Sequence, residues 1–295
     1  MTTPQSPAQA TFQLTHNAYG KSANRLVRIV RDSPRHEIRD VTVDVRLWGA
    51  FEHVYLDGSN AEIPATDTMK NTVFALGKTD FSTGAIEDFG AVLAQHFVAT
   101  SPRVERARVH LVEHPWVRLP ADAEGSDHTF FRGSSGNHVA WVEHDGATGT
   151  TSVKAGLDDL YVLKSTASGF VGFERTALTT LAETDDRILA TTVQAEWTYA
   201  PDVDDYAESW TAIRDVLVRR FADHHSDSVQ GTIFNIGTAI LEARPEVLDV
   251  TIELPNKHHL KVDLAPFGIA NENEVFVATQ DPFGLITGTV ARAAA

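Results

Sequence analysis

The 295-residue sequence contains no cysteine. A chain without cysteine forms no disulfide framework, thiolate nucleophile, iron–sulfur cluster or cysteine-bound zinc site. It also has no run of 18 or more apolar residues, which excludes a transmembrane helix on sequence grounds. The segment from Met1 to Ala10 lacks the basic start and apolar core of a signal peptide. We therefore expect a reduced, cytoplasmic compartment.

Positive charge is also scarce, since 25 lysines and arginines stand against 40 aspartates and glutamates, for a net charge of −15. This balance argues against nucleic acid or an anionic membrane as a partner. Hydrophobic residues make up 42% and charged residues 22% of the chain, as in ordinary globular proteins. The length allows one large domain or two smaller ones.

Several catalytic motifs are missing. No Walker A loop, GxGxxG fingerprint or HExxH helix is present. The stretch from Gly133 to Gly136 is one residue too short for a nucleophile elbow and predicts a glycine-rich hairpin turn. His224 and His225 are adjacent, so on a helix they point about 100° apart and are poorly placed to hold one metal ion. We predict a solvated helix end there, and no metal site.

The hydrophobic periodicity predicts an α+β fold with strand pairs and helix pairs in alternation. Between Glu37 and Trp48, valines and a leucine alternate with polar residues, which indicates a half-buried antiparallel strand. The order strand pair, helix pair, strand pair occurs twice, which predicts an antiparallel sheet with helices on one face. The predicted strands are 25–31, 37–48, 104–117, 138–143, 151–164, 188–199, 247–254, 259–264 and 274–278, and the predicted helices are 66–76, 85–98, 206–222 and 229–241.

Three polar stretches interrupt this pattern. They are Tyr19-Gly20-Lys21 before a strand, the helix start around Thr66-Asp67, and Leu254 to His259 between two strands. Each also has a simple structural interpretation: a loop tripeptide, a helix cap and a turn with an incidental histidine.

Together with other ordered motifs, these stretches resemble the urate oxidase family over nearly the whole chain. The shared motifs are Tyr19-Gly20-Lys21, Ala65-Thr66-Asp67 with Lys70-Asn71-Thr72, Leu163-Lys164-Ser165-Thr166 with Phe170 and Gly172-Phe173, Glu183-Thr184 with Asp186 to Leu189, Ser228-Val229-Gln230, Leu254 to His258, Glu274-Val275-Phe276, and Asp281-Pro282 with Gly284 to Ile286.

The resemblance implies two tandem tunnelling-fold modules of ββααββ order, which assemble as a homotetrameric barrel with active sites between subunits. We expect a flexible tail at 1–15 and modules at 16–146 and 147–295. Lys21, Thr66 and Asp67 would come from one subunit. The neighbouring subunit would supply Phe170, Arg187, Val229, Gln230, Asn256 and His258.

The resemblance further implies oxidation of urate by O2 and water, without a cofactor, to 5-hydroxyisourate and hydrogen peroxide. Arg187 and Gln230 would hold the purine edge while Phe170 stacks on its face. Thr66, Asp67 and Val229 would add contacts near helix starts. Lys21, Thr66 and His258 would relay protons, and Asn256 would orient O2 or water.

Some alternatives stay open. Arg187 has a structural alternative, an ion pair with Asp185 or Asp186. His259 adjoins His258, and only one of the two can face a site from an extended strand. Other tunnelling-fold enzymes act on pterins or GTP, and a purine-binding module would lack the relay. The chain ends in Ala-Ala-Ala rather than Ser-Lys-Leu, so we expect a bacterial cytoplasmic enzyme.

Overall fold

A computed structural model describes residues 12–293 of the chain. Its largest feature is one antiparallel sheet of eight strands, and the expected α+β class with a large antiparallel sheet is confirmed. In spatial order the strands are β1 (Tyr19–Val30), β2 (Glu37–Gly49), β3 (Val104–Glu113), β6 (Asn137–Asp145), β7 (Thr150–Lys164), β8 (Leu189–Tyr199), β9 (Val247–Lys257) and β12 (Gly284–Ala291).

Four longer helices connect and cover these strands, and they follow the predicted order. Helices α2 and α3 lie in the chain between β2 and β3, and α4 and α5 lie between β8 and β9. Their bounds are α2 (Thr66–Asp80), α3 (Ile86–Thr100), α4 (Tyr206–Asp223) and α5 (Val229–Ala243). A short helix α1 (Glu52–Leu56), which was not among the predicted helices, precedes α2.

A single row of buried residues crosses all eight strands. Each member is paired with the next across the sheet, and none is more than 9% exposed. The row consists of Asn24, Val43, Leu111, Ala140, Ala155, Trp197, Val250 and Val290. Because paired residues point to the same face, one face of the whole sheet is apolar and covered.

The helices cover this apolar face by close packing at glycines. Gly90 of α3 lies so near Val142 that a Cβ there would come within 2.7 Å of it, and Gly237 of α5 approaches Val290 in the same way. Trp210 of α4 donates its indole N–H to the carbonyl of Gly156 at 2.8 Å. Helices from both halves of the chain therefore pack on one continuous sheet.

The end of the chain differs from the prediction. The expected last strand pair, 259–264 and 274–278, is a separate hairpin of β10 (His259–Lys261) and β11 (Phe276–Ala278). The strand that completes the sheet is β12, which we did not predict. Its apolar residues are interrupted by Thr287-Gly288-Thr289 and do not alternate with polar ones, so its strand signal is weak.

Two smaller differences complete the comparison. Residues 104–117, predicted as one strand, end as β3 at Glu113 and continue as β4 (Trp116–Arg118), which pairs with β5 (Phe130–Arg132). The glycine-rich stretch from Gly133 to Gly136, predicted as a hairpin turn, instead connects β5 to β6, which lie in different sheets and do not pair with each other. Of the expected tail, residues 1–11 lie outside the described part of the chain, and 12–15 have no regular secondary structure.

Candidate active site

Lys21 lies within β1, not before it, and a β-bulge determines the face to which it points. Lys21 pairs with Val45, whereas Asn24 pairs with Val43, so two residues of β1 oppose only Asp44. Without the bulge, alternation from Asn24 would turn Lys21 to the helix-free face. With it, Lys21 shares the helix-covered face with Val45.

Local hydrogen bonds hold this bulge. Ala23 adopts a φ of 57°, and its N–H donates to the Asp44 carboxylate at 2.6 Å. The amide of Asn24, which is 4% exposed, donates to the carbonyl of Val43 at 2.8 Å and to that of Lys21 at 3.2 Å. The backbone at Lys21 is therefore held by two neighbouring side chains.

The start of α2 lies close to Lys21. Helix α2 packs on β1, and the Tyr19 hydroxyl donates to the carbonyl of Pro64 at 2.9 Å, just before the helix begins. Burial, helped by the nearby Tyr55, raises the pKa of Tyr19 to about 12, so this hydroxyl remains a donor at neutral pH. Tyr19 thus ties the strand that carries Lys21 to the helix that begins at Thr66.

Thr66 and Asp67 do not cap α2 as predicted. The N-cap is Ala65, without a side-chain cap, and Thr66 and Asp67 are the first two helical residues. Asp67 accepts hydrogen bonds from Lys70 and Asn71, and both side chains are on the same helix. The Lys70 bond is the main reason that the pKa of Asp67 is lowered, and the charge of Lys21 adds to it. We call Lys21, Thr66 and Asp67 the N-terminal cluster.

Phe170 and Arg187 lie together in the segment between β7 and β8. The Arg187 Cζ atom is 5.3 Å from the centroid of the Phe170 ring, which stacks on Phe173 at 4.9 Å. The Arg187 N–H donates to the carbonyl of Ser168 at 2.8 Å, and Phe170 forms a two-way backbone bridge with Thr184. These bonds bring a cation and an aromatic face to one place.

The alternative that Arg187 pairs with Asp185 or Asp186 is wrong. Among residues 12–293 no carboxylate lies within 4.0 Å of its guanidinium, and Asp186 instead accepts from the Thr166 hydroxyl at 2.8 Å. Burial is what lowers the pKa of Arg187, which stays protonated at neutral pH. Its charge is thus not neutralised by the described part of the chain.

A buried polar network joins this segment to the start of α5. The Ser226 N–H donates to the carbonyl of Ala167, and the Gly169 N–H to the carbonyl of Ser226. The Ser226 and Thr232 hydroxyls, both almost fully buried, lie 2.8 Å apart. Since Thr232 belongs to the first turn of α5, the network holds Phe170 and Arg187 beside that helix start.

Val229 and Gln230 are the first two residues of α5. Val229 is 4% exposed, and Gln230 is exposed. The Ser228 side chain caps the helix by accepting from the Gly231 N–H at 3.1 Å. The N–H groups of Val229 and Gln230 have no acceptor within the helix, so this end favours a negatively charged ligand.

Asn256 and His258 come from the end of β9, beneath the start of α5. Gly237 of α5 packs on Val290, and Ile233 lies above Gly288. Both contacts lie on β12, which pairs with β9. The N-terminal end of α5 therefore lies over the part of β9 that leads to Asn256. His258 lies between β9 and β10, in neither strand. We call Phe170, Arg187, Val229, Gln230, Asn256 and His258 the C-terminal cluster.

One sheet separates the two clusters. Lys21 is on β1, at one edge, and Asn256 is on β9, next to the other edge. Six inter-strand spacings, or about 29 Å along the sheet, lie between them. The residues of the two clusters thus lie toward opposite edges of the sheet and are not together within one chain.

Some residues of the site were missed from sequence. Lys164 is 9% exposed, and its ammonium donates to the carbonyls of Ala222 and His224 at the end of α4. Burial lowers the pKa of Lys164. The sequence does place this lysine at a strand position where apolar residues alternate, which could have indicated a buried ammonium. Its acceptors could not be predicted, because they are 58 and 60 residues away in the chain.

His224 is not the solvated helix end that we predicted. Its Nδ1 lies 2.6 Å from the carbonyl of Arg220 and its Nε2 3.0 Å from the Thr232 hydroxyl, so it belongs to the buried network. Only His225 is exposed. Within residues 12–293 no group of three or more histidine, aspartate or glutamate side chains is placed to hold a metal ion.

The fold places the protein in a class with one large antiparallel sheet, helices on one face of it and candidate site residues near both edges. A family model described as uricase matches residues 17–143 and 153–287. The uricase of Arthrobacter globiformis is 42% identical over 279 residues, which cover 95% of this chain and 90% of that protein. The uricase of Oryctolagus cuniculus is 35% identical over 286 residues, 95% of each chain.

A solved structure leads to the same family. The crystal structure of uricase from Arthrobacter globiformis matches with a TM-score of 0.90 and 41% identity, and the match covers 97% of each chain. The chain belongs to the uricase family. The resemblance to urate oxidases and the expectation of an enzyme of that family are thereby confirmed. No helix of residues 12–293 is both long and apolar enough to cross a membrane.

The His224 network predicts a loss of stability in acid. Burial, together with nearby positive charges, lowers the pKa of His224 despite its bond to Arg220. Below the ordinary value of about 6.5 the unfolded chain takes up a proton that the folded chain refuses. The stability present above that pH is therefore lost as the pH falls toward the folded-state value.

The melting temperature of the wild type should fall more steeply between about pH 7 and pH 5 than that of His224→Asn. The exposed neighbour provides a comparison: His225→Asn removes one of the positive charges that lower the pKa of His224 but leaves the larger effect of burial, so most of the wild-type slope should remain. Equal slopes for the wild type and His224→Asn would show that His224 does not titrate with unfolding.

Proposed function

We propose that this chain catalyses the oxidation of urate by O2 and water to 5-hydroxyisourate and hydrogen peroxide. The observation that carries the proposal is the Arg187 guanidinium, which has no carboxylate partner among residues 12–293 and lies 5.3 Å from the Phe170 ring centroid. A fixed cation beside an aromatic face suits a flat organic anion. Because the chain belongs to the uricase family, we propose that this anion is urate.

The C-terminal cluster would recognise the purine. Arg187 offers a rigid, charged fork to one edge, and the Gln230 amide offers a donor and an acceptor to the edge beside it. The purine would stack on the Phe170 ring beside Arg187. The backbone N–H of Val229, at the start of α5, would favour negative charge on the ligand.

The N-terminal cluster would complete the site from a neighbouring subunit. The N–H groups of Thr66 and Asp67 also lie at a helix start, so two helix N-termini would face one anion. This arrangement follows from the separation of the two clusters, since about 29 Å of sheet lies between them in one chain. It requires an oligomer, which we propose to be a homotetramer.

The assembly that we propose consists of barrels built from two tandem tunnelling-fold modules per chain, at 16–146 and 147–295. Each module contributes four strands of the large sheet and two of the longer helices. The boundary falls in the turn between β6 and β7, so both modules share one sheet in each chain. The edge strands β1 and β12 then remain to pair between subunits.

The chemistry that we propose uses the substrate as its own electron donor. Loss of a second proton from urate gives a dianion that passes two electrons to O2, and water then adds at C5. The two electrons and two protons leave as hydrogen peroxide, so no cofactor is required. Lys21, Thr66 and His258 would move the protons, and Asn256 would hold O2 or water above the ring.

Urate consumption under controlled gas tests the proposed reaction. Protein freed of metal with a chelator should consume urate in air, with loss of its near-ultraviolet absorbance and formation of one peroxide per urate. Under argon the absorbance should persist, because O2 accepts the electrons. Binding of urate without consumption in air would instead support a purine-binding module.

Substitution of the proposed base tests the relay. Lys21→Met should lower kcat by at least about a hundredfold, the usual contribution of a positioned acid or base. The Kd of a non-oxidisable urate analogue should stay within a few-fold of wild type, because Arg187 and Gln230 remain. Lys78→Met, on the exposed side of α2, is the matched lysine control and should retain turnover. Near-normal turnover of Lys21→Met would remove Lys21 from the relay.

A further inference from the structure

One buried hydroxyl near the C-terminal cluster has no hydrogen-bond partner within residues 12–293. Thr191 of β8 is 1% exposed, and its Oγ1 contacts no donor or acceptor among the described residues. An unpaired buried hydroxyl destabilises a fold, and replacement by an apolar group of the same shape removes the penalty. Valine has that shape, so folding alone does not explain a threonine here.

Thr191 lies directly opposite a residue of the proposed site. It pairs with Asn256 across β8 and β9, and paired residues of an antiparallel sheet point to the same face. The Cβ atoms of such a pair lie about 5 Å apart, within reach of a hydroxyl and an amide. On its other side Asn256 pairs with Gly284, which has no side chain. Thr191 is therefore the cross-strand neighbour that can direct the Asn256 amide.

The chemistry of the two groups selects one arrangement. A hydroxyl proton needs an acceptor, and the acceptor that Asn256 offers is its Oδ1 atom. If Thr191 accepted from the amide nitrogen instead, its own proton would stay unpaired. With Oδ1 turned toward Thr191, the Nδ2 donors point away from it, toward the start of α5 and the proposed substrate.

We propose that Thr191 is a positioning residue for the oxidation, which acts through Asn256. When substrate is bound, its hydroxyl donates to Asn256 Oδ1 and so presents Nδ2 as a donor to dioxygen or water above the purine. This inference rests on the proposed function, in which Asn256 holds the oxygen species. It assigns to Thr191 a role in turnover rather than in folding.

The variant Thr191→Val separates a role in turnover from a role in folding, because we expect kcat to fall while the melting temperature does not. The melting temperature should stay equal or rise, since a buried unpaired hydroxyl is removed. The kcat for urate should fall roughly three- to tenfold, the factor expected for one neutral hydrogen bond. The Kd of a non-oxidisable urate analogue should not change, and Thr191→Ser should restore most of kcat.

A matched control and a double-mutant cycle complete the test. Thr198→Val alters the same strand at its far end, where the hydroxyl contacts Asp249, and should keep wild-type kcat. In an Asn256→Ala background, Thr191→Val should lower kcat no further, because its effect passes through Asn256. Wild-type kcat in Thr191→Val, or an equal loss in both backgrounds, would overturn the inference. Failure of the wild type itself to oxidise urate would instead contradict the proposed function.

Discussion

A row of buried side chains crosses all eight strands of one sheet, from Asn24 on β1 to Val290 on β12. Helices from both halves of the chain pack on the face that this row defines. Bringing the two edges of the sheet together within one chain would expose that apolar face to water. The two groups of site residues are therefore held near opposite edges of the sheet. Neither edge carries all of the groups that we propose for recognition and proton transfer, so the proposed chemistry requires more than one chain.

The net charge of −15 disfavours the proposed anionic substrate, but the charges nearest to the candidate site favour it. At physiological salt, charges are screened over about 8 Å, so the nearest groups dominate. Arg187 has no carboxylate neighbour among the described residues, while Asp67 is bound by Lys70 and Asn71. Each cluster also contains a helix N-terminus. The site thus favours an anion even though the whole chain repels one.

Much of the fold could be predicted from sequence because its strands and helices have clear periodicity, as from Val41 to Leu47. Strand β12 could not, since its glycines and threonines have little apolar character. The candidate site residues were named from the family resemblance, but the resemblance did not give the orientation of their side chains. The face of Lys21 depends on a bulge, and the surroundings of Arg187 depend on Ser226 and Thr232, which are distant in the chain. Such contacts between distant segments leave no periodic signal.

Subunit complementation tests most directly whether the active site is shared between chains. Lys21→Met and Arg187→Ala chains, each nearly inactive alone, would be co-expressed with different tags and purified as mixed oligomers. Random assembly should give about a quarter of the sites both an intact N-terminal cluster from one chain and an intact C-terminal cluster from the other. Mixed oligomers should then regain about a quarter of wild-type turnover. Mixed oligomers no more active than their parents would contradict a shared site.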